Sequence, residues 1–517
     1  LRDTLPPSTL ASLGLMPLDE AIRTIHAPSD AGKLSKARER LKFEELFFIQ
    51  TDMLQRGRAR KAEIQGFIMP HIGQWFNDFY HQCLPFELTG AQKRVIKEIR
   101  ADLISGRQMN RLVQGDVGSG KTLVALMAML LAIDNGYQAC LMAPTEILAG
   151  QHYETISGMA SKIGLNVRLL TGSTRAKERR IIAQELLDGT LHILVGTHAV
   201  LEDKVEFRNL GMAVIDEQHR FGVAQRARLW RKNAIPPHVL VMTATPIPRT
   251  LAMTVYGDLD VSVIDELPPG RKPVVTLLRY DQARESVKKA VKEQLAQGHQ
   301  VYIVYPLVKE NEKLDLRSVE EGFDQAVADY APTKVALVHG QMKPAEKDAQ
   351  MELFASGQAG ILVATTVIEV GVNVPNATTM IIENAERFGL SQLHQLRGRV
   401  GRGADKSYCV LMTKYQIGAI TRKRLELMTS TTDGFVIAEA DMSMRGPGDI
   451  EGTMQSGLPF DLKIANLATD GQVIQMARRA AEALLDADPQ LVAPENRYFA
   501  YALKTLTEHS TDWSRIS

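Results

Sequence analysis

Gly115-Asp116-Val117-Gly118-Ser119-Gly120-Lys121-Thr122 is the stretch of sequence that decides the fold. It lies between a short apolar segment, residues 111–114, and a long one, residues 123–133, which is the strand, loop and helix order of a phosphate-binding loop. The glycines allow backbone N–H groups to face an anion, and the helix N-terminus adds a partial positive charge. We therefore predict that Gly115, Gly118 and Gly120 surround the phosphates of ATP. Lys121 would reach the terminal phosphates and Thr122 would hold Mg²⁺.

A carboxylate pair at the end of another apolar segment supplies the second half of a nucleotide site. Residues 213–215 are apolar and are followed directly by Asp216 and Glu217. An Asp-Glu pair after a strand is otherwise an ordinary charge at a helix N-terminus. Because this pair follows a phosphate-binding loop along the chain, we predict that Asp216 binds Mg²⁺ and that Glu217 is the base for the attacking water.

An aromatic ring and an amide lie upstream of the first predicted strand. Phe86 can stack on adenine, and Gln92 can form hydrogen bonds with the edge of that base. A glutamine on a helix is more often simply solvated, so composition alone supports this assignment weakly.

Arginines are concentrated in residues 392–403, far downstream of the loop. Arg399 and Arg402 are three residues apart, so we expect both on one face of a helix, where their charge would stabilise the γ-phosphate during transfer. The competing interpretation is a surface cluster paired with carboxylates. With the loop in one half and the arginines in the other, we expect a cleft that closes on ATP and opens after hydrolysis.

Two series of short apolar or β-branched segments alternate with helix-like segments. The first series is 111–114, 139–143, 167–171, 193–197, 213–216 and 239–243. The second series is 274–278, 301–305, 334–338, 361–365, 380–382 and 408–412. A Pro/Gly-rich stretch, residues 267–273, separates them. This rhythm predicts an α/β protein with two tandem parallel-sheet lobes joined by a stiff linker.

Helical segments flank the two lobes. Residues 34–54 form an amphipathic pattern that we expect to pack on the first lobe. After the second lobe come predicted helices at 417–428 and 471–486, with a Gly-rich stretch at 445–449 between them. We therefore divide the chain into a helical region (1–85), an ATP-binding lobe (86–267), a second lobe (268–415) and a C-terminal helical region (416–517).

Composition narrows the class of protein. The formal net charge is +1, which excludes a polybasic tail, and the 3 cysteines show neither a disulfide framework nor zinc-ligand spacing. The longest apolar segment, 123–133, is far shorter than the roughly 20 residues of a membrane-spanning helix. These features predict a protein of the reducing cytosol with no membrane segment. The first residue is Leu1 rather than Met, so we expect the sequence to be part of a longer protein.

An ordered set of motifs resembles the superfamily-two helicases. Besides the loop and the carboxylate pair, the matching segments are residues 86–92, 143–146, 196–200, 216–222, 243–250, 338–342, 364–375 and 392–403. Residues 216–222, 305–308, 312–315 and 441–449 are similar in particular to the RecG family of bacterial branched-DNA translocases. The resemblance covers nearly the whole chain and implies two RecA-like lobes followed by a helical hairpin and a translocation loop.

The resemblance also implies an activity. RecG-type proteins hydrolyse ATP with Mg²⁺ to move on double-stranded DNA and remodel stalled forks, Holliday junctions and R-loops, within the 3'-5' DNA helicase class. Thr243 and Thr245 would couple ATP to DNA, Gln395 would join Arg399 and Arg402 at the transition state, and Arg445 would contact DNA in the translocation loop. The resemblance further implies a cytoplasmic monomer with single-stranded-DNA-binding protein as a partner.

Three departures from the family pattern stand out. The family's N-terminal wedge domain has no counterpart before Leu1, so this piece is expected to bind ATP but to bind forks poorly. Asn373 stands where an aspartate is expected, and Met454 where a basic residue is expected. A phosphate contact in the translocation loop would then fall to Arg445.

Alternative functions remain open at this point. A transcription-repair coupling motor shares the translocation motif, but its polymerase-binding and lesion-recruitment regions have no counterpart in the sequence. An RNA helicase of the Asp-Glu-Ala-Asp type is disfavoured because that tetrad is absent. A nucleic-acid-binding scaffold that uses nucleotide only as a switch would not need Lys121, Glu217, Arg399 and Arg402 all intact.

Overall fold

A computed structural model describes most of the chain. The described residues are 2–84, 86–217, 235–245, 259–268, 272–306, 312–365, 374–403, 405–444, 462–467 and 469–508. The chain divides into two compact units. One, the lobe unit, consists of Gly66–Pro246 and Ser262–Asp441. The other, the helical unit, consists of Leu1–Gln65, Ile247–Val261 and Met442–Ser517.

The helices, in chain order, are α1 (Pro7–Leu13), α2 (Leu18–His26), α3 (Ala31–Glu63), α4 (Gln74–Asp78), α5 (Gly90–Ile104), α6 (Lys121–Asp134), α7 (Glu146–Ala160), α8 (Ala176–Asp188), α9 (Arg284–Ala296), α10 (Glu312–Asp329), α11 (Pro344–Ala355), α12 (Leu390–Arg397), α13 (Ala419–Ser430), α14 (Gly434–Met444), α15 (Gly471–Ala487) and α16 (Arg497–Glu508). The strands of the first sheet are β1 (Asn110–Gly115), β2 (Gln138–Met142), β3 (Val167–Leu170), β4 (Ile193–Gly196), β5 (Leu210–Asp216), β6 (His238–Thr243) and β7 (Asp260–Ile264). Those of the second sheet are β8 (Val275–Tyr280), β9 (Gln300–Val304), β10 (Val335–Val338), β11 (Ile361–Ala364), β12 (Ala377–Ile382) and β13 (Tyr408–Thr413).

Both sheets belong to the two-lobe α/β fold that the sequence predicted. The strand order is β3-β4-β2-β5-β6-β1-β7 in the first lobe and β10-β11-β9-β12-β13-β8 in the second. Neighbouring strands pair in parallel throughout the second sheet and from β3 to β1 in the first. The predicted strands are confirmed, whereas β7 was not predicted, although its alternation of polar and apolar residues is typical of a strand.

The register of the first sheet gathers the predicted nucleotide residues. Gln114, the residue before the phosphate loop, is opposite Thr243, and Asp216 is opposite Met242. Since β5, β6 and β1 are adjacent and parallel, their carboxyl ends meet at one edge of the sheet. The loop after β1, the carboxylates after β5 and the threonine at the end of β6 therefore lie side by side.

The apolar segment after the phosphate loop is a core helix, as predicted. Every residue from Leu123 to Ile133 on α6 is buried against the first sheet. A helix that is apolar on all faces must be covered on all faces, which fixes its place inside the lobe. Within the described ranges, no helix combines the length and the apolar character that crossing a bilayer requires.

The helical unit has a core of its own. Phe47 and Phe48 of α3 pack against Phe499 of α16, with ring centroids 5.0 and 4.8 Å apart, and Lys42 forms an ion pair of 2.7 Å with Asp470. We predicted that this amphipathic helix packs on the first lobe. That prediction is wrong for its buried apolar residues, because α15 and α16 supply the complementary apolar surface.

The resemblance predicts a helical hairpin after the second lobe, and two successive helices, α13 and α14, occupy this part of the chain. Leu425 and Met428 of α13 are buried in the core of the second lobe, so the first helix of the hairpin is anchored there. The Arg424 guanidinium donates a hydrogen bond of 2.6 Å to the backbone carbonyl of Glu386. The carboxylate of Asp433 accepts from the Phe435 N–H at 2.8 Å, which caps the start of α14.

Candidate functional site

The phosphate loop has the backbone conformation that its glycines predict. Gly118 and Gly120 have φ values of 78° and 86°, in the left-handed region that residues with a Cβ rarely adopt. The backbone N–H groups of Gly118, Gly120 and Thr122 donate to no backbone carbonyl of another loop or strand within the described part of the chain. Free N–H groups at the start of a helix fit a phosphate, so the loop satisfies the chemical requirement for a nucleotide.

Lys121 holds the two ends of this loop together. Its Nζ donates to the backbone carbonyl oxygens of Gly115 at 2.7 Å and Asp116 at 2.8 Å. The ammonium group is therefore kept at the mouth of the loop, at the position from which the sequence predicts that it reaches a phosphate.

Gln92 contacts the loop from α5. Its Oε1 accepts from the Thr89 N–H at 3.0 Å, and the Thr89 hydroxyl accepts from the Gln92 N–H, which together form a capping box. Its Nε2 donates to the carbonyl of Ser119 at 2.9 Å. The amide is fully buried and Phe86 is 37% exposed. Adenine recognition by these two residues stays a prediction, and the structure adds a contact by which Gln92 supports the phosphate loop.

Asp216 ends β5 as a buried carboxylate. Its Oδ2 lies 2.7 Å from Nε2 of His152 on α7. Burial alone would raise the pKa of the Asp216 carboxyl, but the hydrogen bond and charge of His152, together with the charge of Lys121, lower the pKa below its usual value. Asp216 is thus ionised at neutral pH, as a ligand for Mg²⁺ must be, and its oxygens are of the type that this ion takes. Binding of Mg²⁺ by Asp216 and Thr122 stays a prediction.

No group of three or more His, Cys, Asp or Glu side chains in the described ranges is arranged to hold a metal ion. Mg²⁺ usually takes only one or two protein oxygens when phosphates complete its shell. The ionised Asp216 carboxylate is one such oxygen ligand, and it fits an ion that arrives with the nucleotide.

The pKa of Glu217 is shifted in the opposite direction from that of Asp216. Its backbone has a φ of 54°, and its Oε1 accepts from the Ala244 N–H at 3.1 Å. Burial and the neighbouring Asp216 raise the pKa of the Glu217 carboxyl, more than Lys121, Ala244 and Arg399 lower it. Two adjacent carboxylates whose pKa values are pushed apart are typical of sites that divide metal binding from proton transfer.

The second lobe reaches this edge of the first lobe through α12. Nε2 of His394 lies 2.7 Å from Oδ1 of Asp116 in the phosphate loop. One residue further on, Gln395 Nε2 donates to the Thr245 hydroxyl at 2.7 Å, and the Thr245 N–H donates to the Thr243 hydroxyl. The structure thus brings together Gln395, Thr243 and Thr245, to which the resemblance gave two different roles.

Arg399 and Arg402 follow α12 instead of continuing it. We expected both on one helical face, and this expectation is wrong because α12 ends at Arg397 and Gly398 begins a turn. A Cβ on Gly398 would lie 2.9 Å from Cβ of Val117, so the turn approaches the phosphate loop closely.

The positive charge of Arg399 contributes to lowering the Glu217 pKa. Arg402 donates from Nε to the Gly398 carbonyl at 3.3 Å.

Several predicted residues cannot be placed. Arg445, Asn373 and Met454 lie outside the described residues. Their predicted roles stay predictions.

Comparison with known proteins decides the family. The chain is 44% identical over 508 residues to the ATP-dependent DNA helicase RecG of Streptococcus pneumoniae, covering 98% of this chain and 74% of that protein. It is 46% identical over 505 residues to RecG of Escherichia coli O157:H7, covering 95% of this chain and 72% of that protein. The chain belongs to the RecG family.

Three segments match described families. Residues 89–254 match the DEAD/DEAH box helicases, residues 283–404 match the helicase conserved C-terminal domain, and residues 431–517 match the family described as ATP-dependent DNA helicase RecG, domain 3, C-terminal. This RecG-family assignment disfavours the transcription-repair coupling motor and the RNA helicase as alternatives.

A solved structure of RecG bound to a three-way DNA junction is similar to this chain. The two share 42% sequence identity at a TM-score of 0.73, over 92% of this chain and 62% of that one. The Synechocystis RecG is 51% identical to this chain, which spans 59% of that relative's length and 57% of the Aquifex aeolicus relative's.

Sequence reasoning about this RecG-family chain missed Arg397 and His152. The buried guanidinium of Arg397 contacts Nδ1 of His394 at 2.9 Å and donates to the carbonyls of Met428 at 2.9 Å and Thr431 at 2.8 Å. It therefore links α12 to the C-terminal end of α13. The sequence offered only one signal, a histidine and an arginine three residues apart on one helix. For His152 it offered none.

Proposed function

We propose that this chain is the ATP-driven motor of a DNA helicase that moves on double-stranded DNA and remodels branched DNA in recombination and repair. Stalled replication forks, Holliday junctions and R-loops are the proposed substrates. Membership in the RecG family supports this proposal, and the observation that carries it is the direct contact of Asp116 in the phosphate loop with His394 of α12, the helix that precedes Arg399 and Arg402.

In this proposal the first lobe binds the nucleotide. The N–H groups of Gly115, Gly118 and Gly120 face the phosphates, and Lys121 exchanges its contacts with the loop carbonyls for contacts with the terminal phosphates. Thr122 and Asp216 would hold Mg²⁺, which neutralises phosphate charge when it is bound.

Hydrolysis follows from the proton-accepting character of Glu217. A water oxygen attacks the γ-phosphorus, the bond from that phosphorus to the oxygen of ADP breaks, and Glu217 takes the proton from the water. Burial and the neighbouring Asp216 raise its pKa, which makes the Glu217 carboxylate a stronger base than an ordinary glutamate. Arg399 and Arg402, with Gln395, would stabilise the negative charge on the transferred group.

Coupling to DNA would use the second contact between the lobes. Gln395 holds the Thr245 hydroxyl, and Thr243 and Thr245 are joined by a hydrogen bond at the end of β6. A change in lobe closure on hydrolysis would therefore alter both threonines. Arg445 is proposed as the DNA contact of the translocation loop, so Arg445→Ala should spare DNA-stimulated hydrolysis while abolishing fork unwinding. An equal loss of both activities would contradict that role.

The proposed setting follows from the substrate. We propose a cytoplasmic monomer that works on bacterial DNA, with single-stranded-DNA-binding protein as a partner. We also propose residues 86–267 and 268–415 as the two motor lobes, between the helical regions 1–85 and 416–517.

The test is steady-state ATP turnover with Mg²⁺ in the presence of three-way junction DNA, linear duplex or no DNA. We expect junction and duplex DNA to stimulate turnover, and Lys121→Ala to abolish it. Turnover that no DNA stimulates would contradict the motor and support a nucleotide-switched scaffold. Normal turnover by Lys121→Ala would mean that the nucleotide site has been assigned wrongly.

A further inference from the structure

His152 is a residue of α7 that has no role in the proposed function so far. Its Nε2 is 2.7 Å from Oδ2 of Asp216, and the two side chains are only 11% and 12% exposed. The helix is fixed at its start, because the Thr145 hydroxyl accepts from the Leu148 N–H and the Glu146 carboxylate accepts from the Ser173 hydroxyl at 2.7 Å. The imidazole is therefore presented to Asp216 by a well-anchored element.

The contact restricts the Asp216 carboxylate. A carboxylate at the end of a strand can rotate about its last bond, and a buried one pays a desolvation cost unless its oxygens are bonded. The hydrogen bond to Oδ2 stops that rotation and compensates for the lost water. The backbone N–H of Glu217 also interacts with this carboxylate and helps to lower its pKa, so the group is held by two neighbours.

A buried histidine is often purely structural, and this protein provides an example for comparison. His238 is fully buried, its Nδ1 accepts from the Met109 N–H at 2.9 Å, and its Nε2 donates to the Phe67 carbonyl at 2.8 Å. Both ring nitrogens of His238 thus bond to backbone atoms and join chain segments. His152, in contrast, contacts the carboxylate that is proposed to hold Mg²⁺.

We propose that His152 is a positioning residue for Asp216: its Nε2–H holds Oδ2 and thereby orients the carboxylate towards the Mg²⁺ that accompanies the nucleotide. This inference rests on the proposed function, because it gives Asp216 the metal-binding role. Groups that orient a metal ligand in this way typically change metal affinity or activity about 10- to 100-fold when they are removed.

Two amide variants separate this role from simple packing. In His152→Gln, the side-chain amide nitrogen is at the distance of Nε2 from the backbone and can still donate to Asp216. In His152→Asn, the amide is too short to reach it, although the polarity is retained. Glu154→Gln is the matched control, since Glu154 is an exposed residue of the same helix.

The measurement is equilibrium binding of a fluorescent ATP analogue, titrated with MgCl₂ from an EDTA baseline and without DNA. We expect His152→Asn to raise the Mg²⁺ concentration for half-maximal binding about 10-fold or more. His152→Gln and Glu154→Gln should remain within about 3-fold of the wild type. Binding in EDTA should be the same for every variant, because the phosphate loop is unchanged.

Steady-state kinetics supply a second measurement. His152→Asn should require more Mg²⁺ to reach its maximal rate, and saturating Mg²⁺ should restore most of that rate. Thermal unfolding of each variant shows whether it is folded, and if His152→Asn is not, the same titration of His152→Leu replaces it.

The outcomes distinguish the two proposals. If the variants that cannot reach Asp216 need no more Mg²⁺ than the wild type, His152 has no positioning role and the proposed function is unaffected. If the wild type itself shows no nucleotide binding that depends on Mg²⁺, the proposed function fails before His152 is tested.

Discussion

Nε2 of His394 lies 2.7 Å from Oδ1 of Asp116, although 278 positions separate the two residues along the chain. The contact joins the helix that precedes the arginines to the loop that is proposed to bind phosphate. Any nucleotide that rearranges the loop must therefore act on this pair. The contribution of the pair to the free energy of unfolding can be measured.

We predict that Asp116→Asn weakens the folded state in a pH-dependent way. Burial would raise the Asp116 pKa, but the hydrogen bond and charge of His394 lower it below the ordinary value of 3.8. At pH 7 we expect the variant to lose about 1.5–3 kcal/mol of unfolding free energy, the range for a hydrogen bond to a charged group. Urea denaturation measures this loss.

The direction of the pH effect follows from the lowered pKa. The stabilisation by the carboxylate is complete above the pKa of the unfolded chain and is lost as the pH falls through the lower pKa of the folded state. The difference between the wild type and Asp116→Asn should therefore shrink below about pH 4. The exposed Asp203→Asn serves as control, and equal urea midpoints for the wild type and Asp116→Asn at pH 7 would show that the pair adds no stability.

Lys121→Ala should abolish ATP turnover. The ammonium group contacts the carbonyls of Gly115 and Asp116, so its removal takes away both the fastening of the loop and the charge offered to the phosphates. Turnover and binding of a fluorescent ATP analogue are the measurements, with the exposed Lys177→Ala as control. Full activity of Lys121→Ala would exclude this loop as the phosphate site.

Arg399→Ala should lower kcat far more than it lowers nucleotide affinity. An arginine that acts on the transferred phosphoryl group raises kcat by about 10³-fold or more, because it stabilises negative charge that develops in the transition state. Steady-state turnover and equilibrium binding, compared with the exposed Arg100→Ala, separate the two effects. A loss of affinity with unchanged kcat would identify Arg399 as a ground-state binding residue.

Gln92→Ala should lower the free energy of unfolding and also the preference for ATP over GTP. The capping box contributes about 1 kcal/mol to the start of α5, and the variant also loses the hydrogen bond to Ser119. If Gln92 reads adenine as predicted, the preference for ATP over GTP should fall in competition binding. An unchanged preference with reduced affinity for both nucleotides would assign Gln92 to loop support alone.

Mild acid should destabilise the first lobe through His238. Burial lowers the His238 pKa below its ordinary value of 6.5, and burial also lowers that of His192. Histidines with lowered pKa values stabilise the fold above the pKa of the unfolded chain, and this contribution is lost as the pH falls through the folded pKa. Urea midpoints should therefore decrease from pH 7.5 to 5. Asp116 and Asp216, with pKa values below 3.8, do not titrate in this range. The raised pKa of Glu217 acts in the opposite direction, so the comparison is made in Glu217→Gln, where a constant midpoint would contradict the prediction.

The elements that could be predicted from the sequence are those whose pattern involves only neighbouring residues. The parallel strands are apolar runs of ordinary strand length, and the glycines of the phosphate loop lie at the spacing that the turn requires, so both could be recognised from neighbouring residues. Asp216 and Glu217 were located because a carboxylate pair after a buried strand has few alternatives once a phosphate loop precedes it.

Contacts between distant residues could not be predicted in this way. No periodicity relates Asp116 to His394, or His152 to Asp216, since each pair is brought together only by the order of the strands and the docking of helices. The expected helix through Arg399 and Arg402 failed for a local reason, because Gly398 ends α12. The prediction that α3 packs on the first lobe was wrong because an amphipathic face does not specify which apolar surface covers it.

The pairing of α3 with α15 and α16 has a consequence for biosynthesis. Lys42 and its partner Asp470 are 428 positions apart, so the ribosome releases the phenylalanine-rich face of α3 long before the surface that covers it has been made. At about 5–20 residues per second, that face remains exposed for tens of seconds. The nascent polypeptide therefore keeps this apolar face uncovered until α15 and α16 emerge.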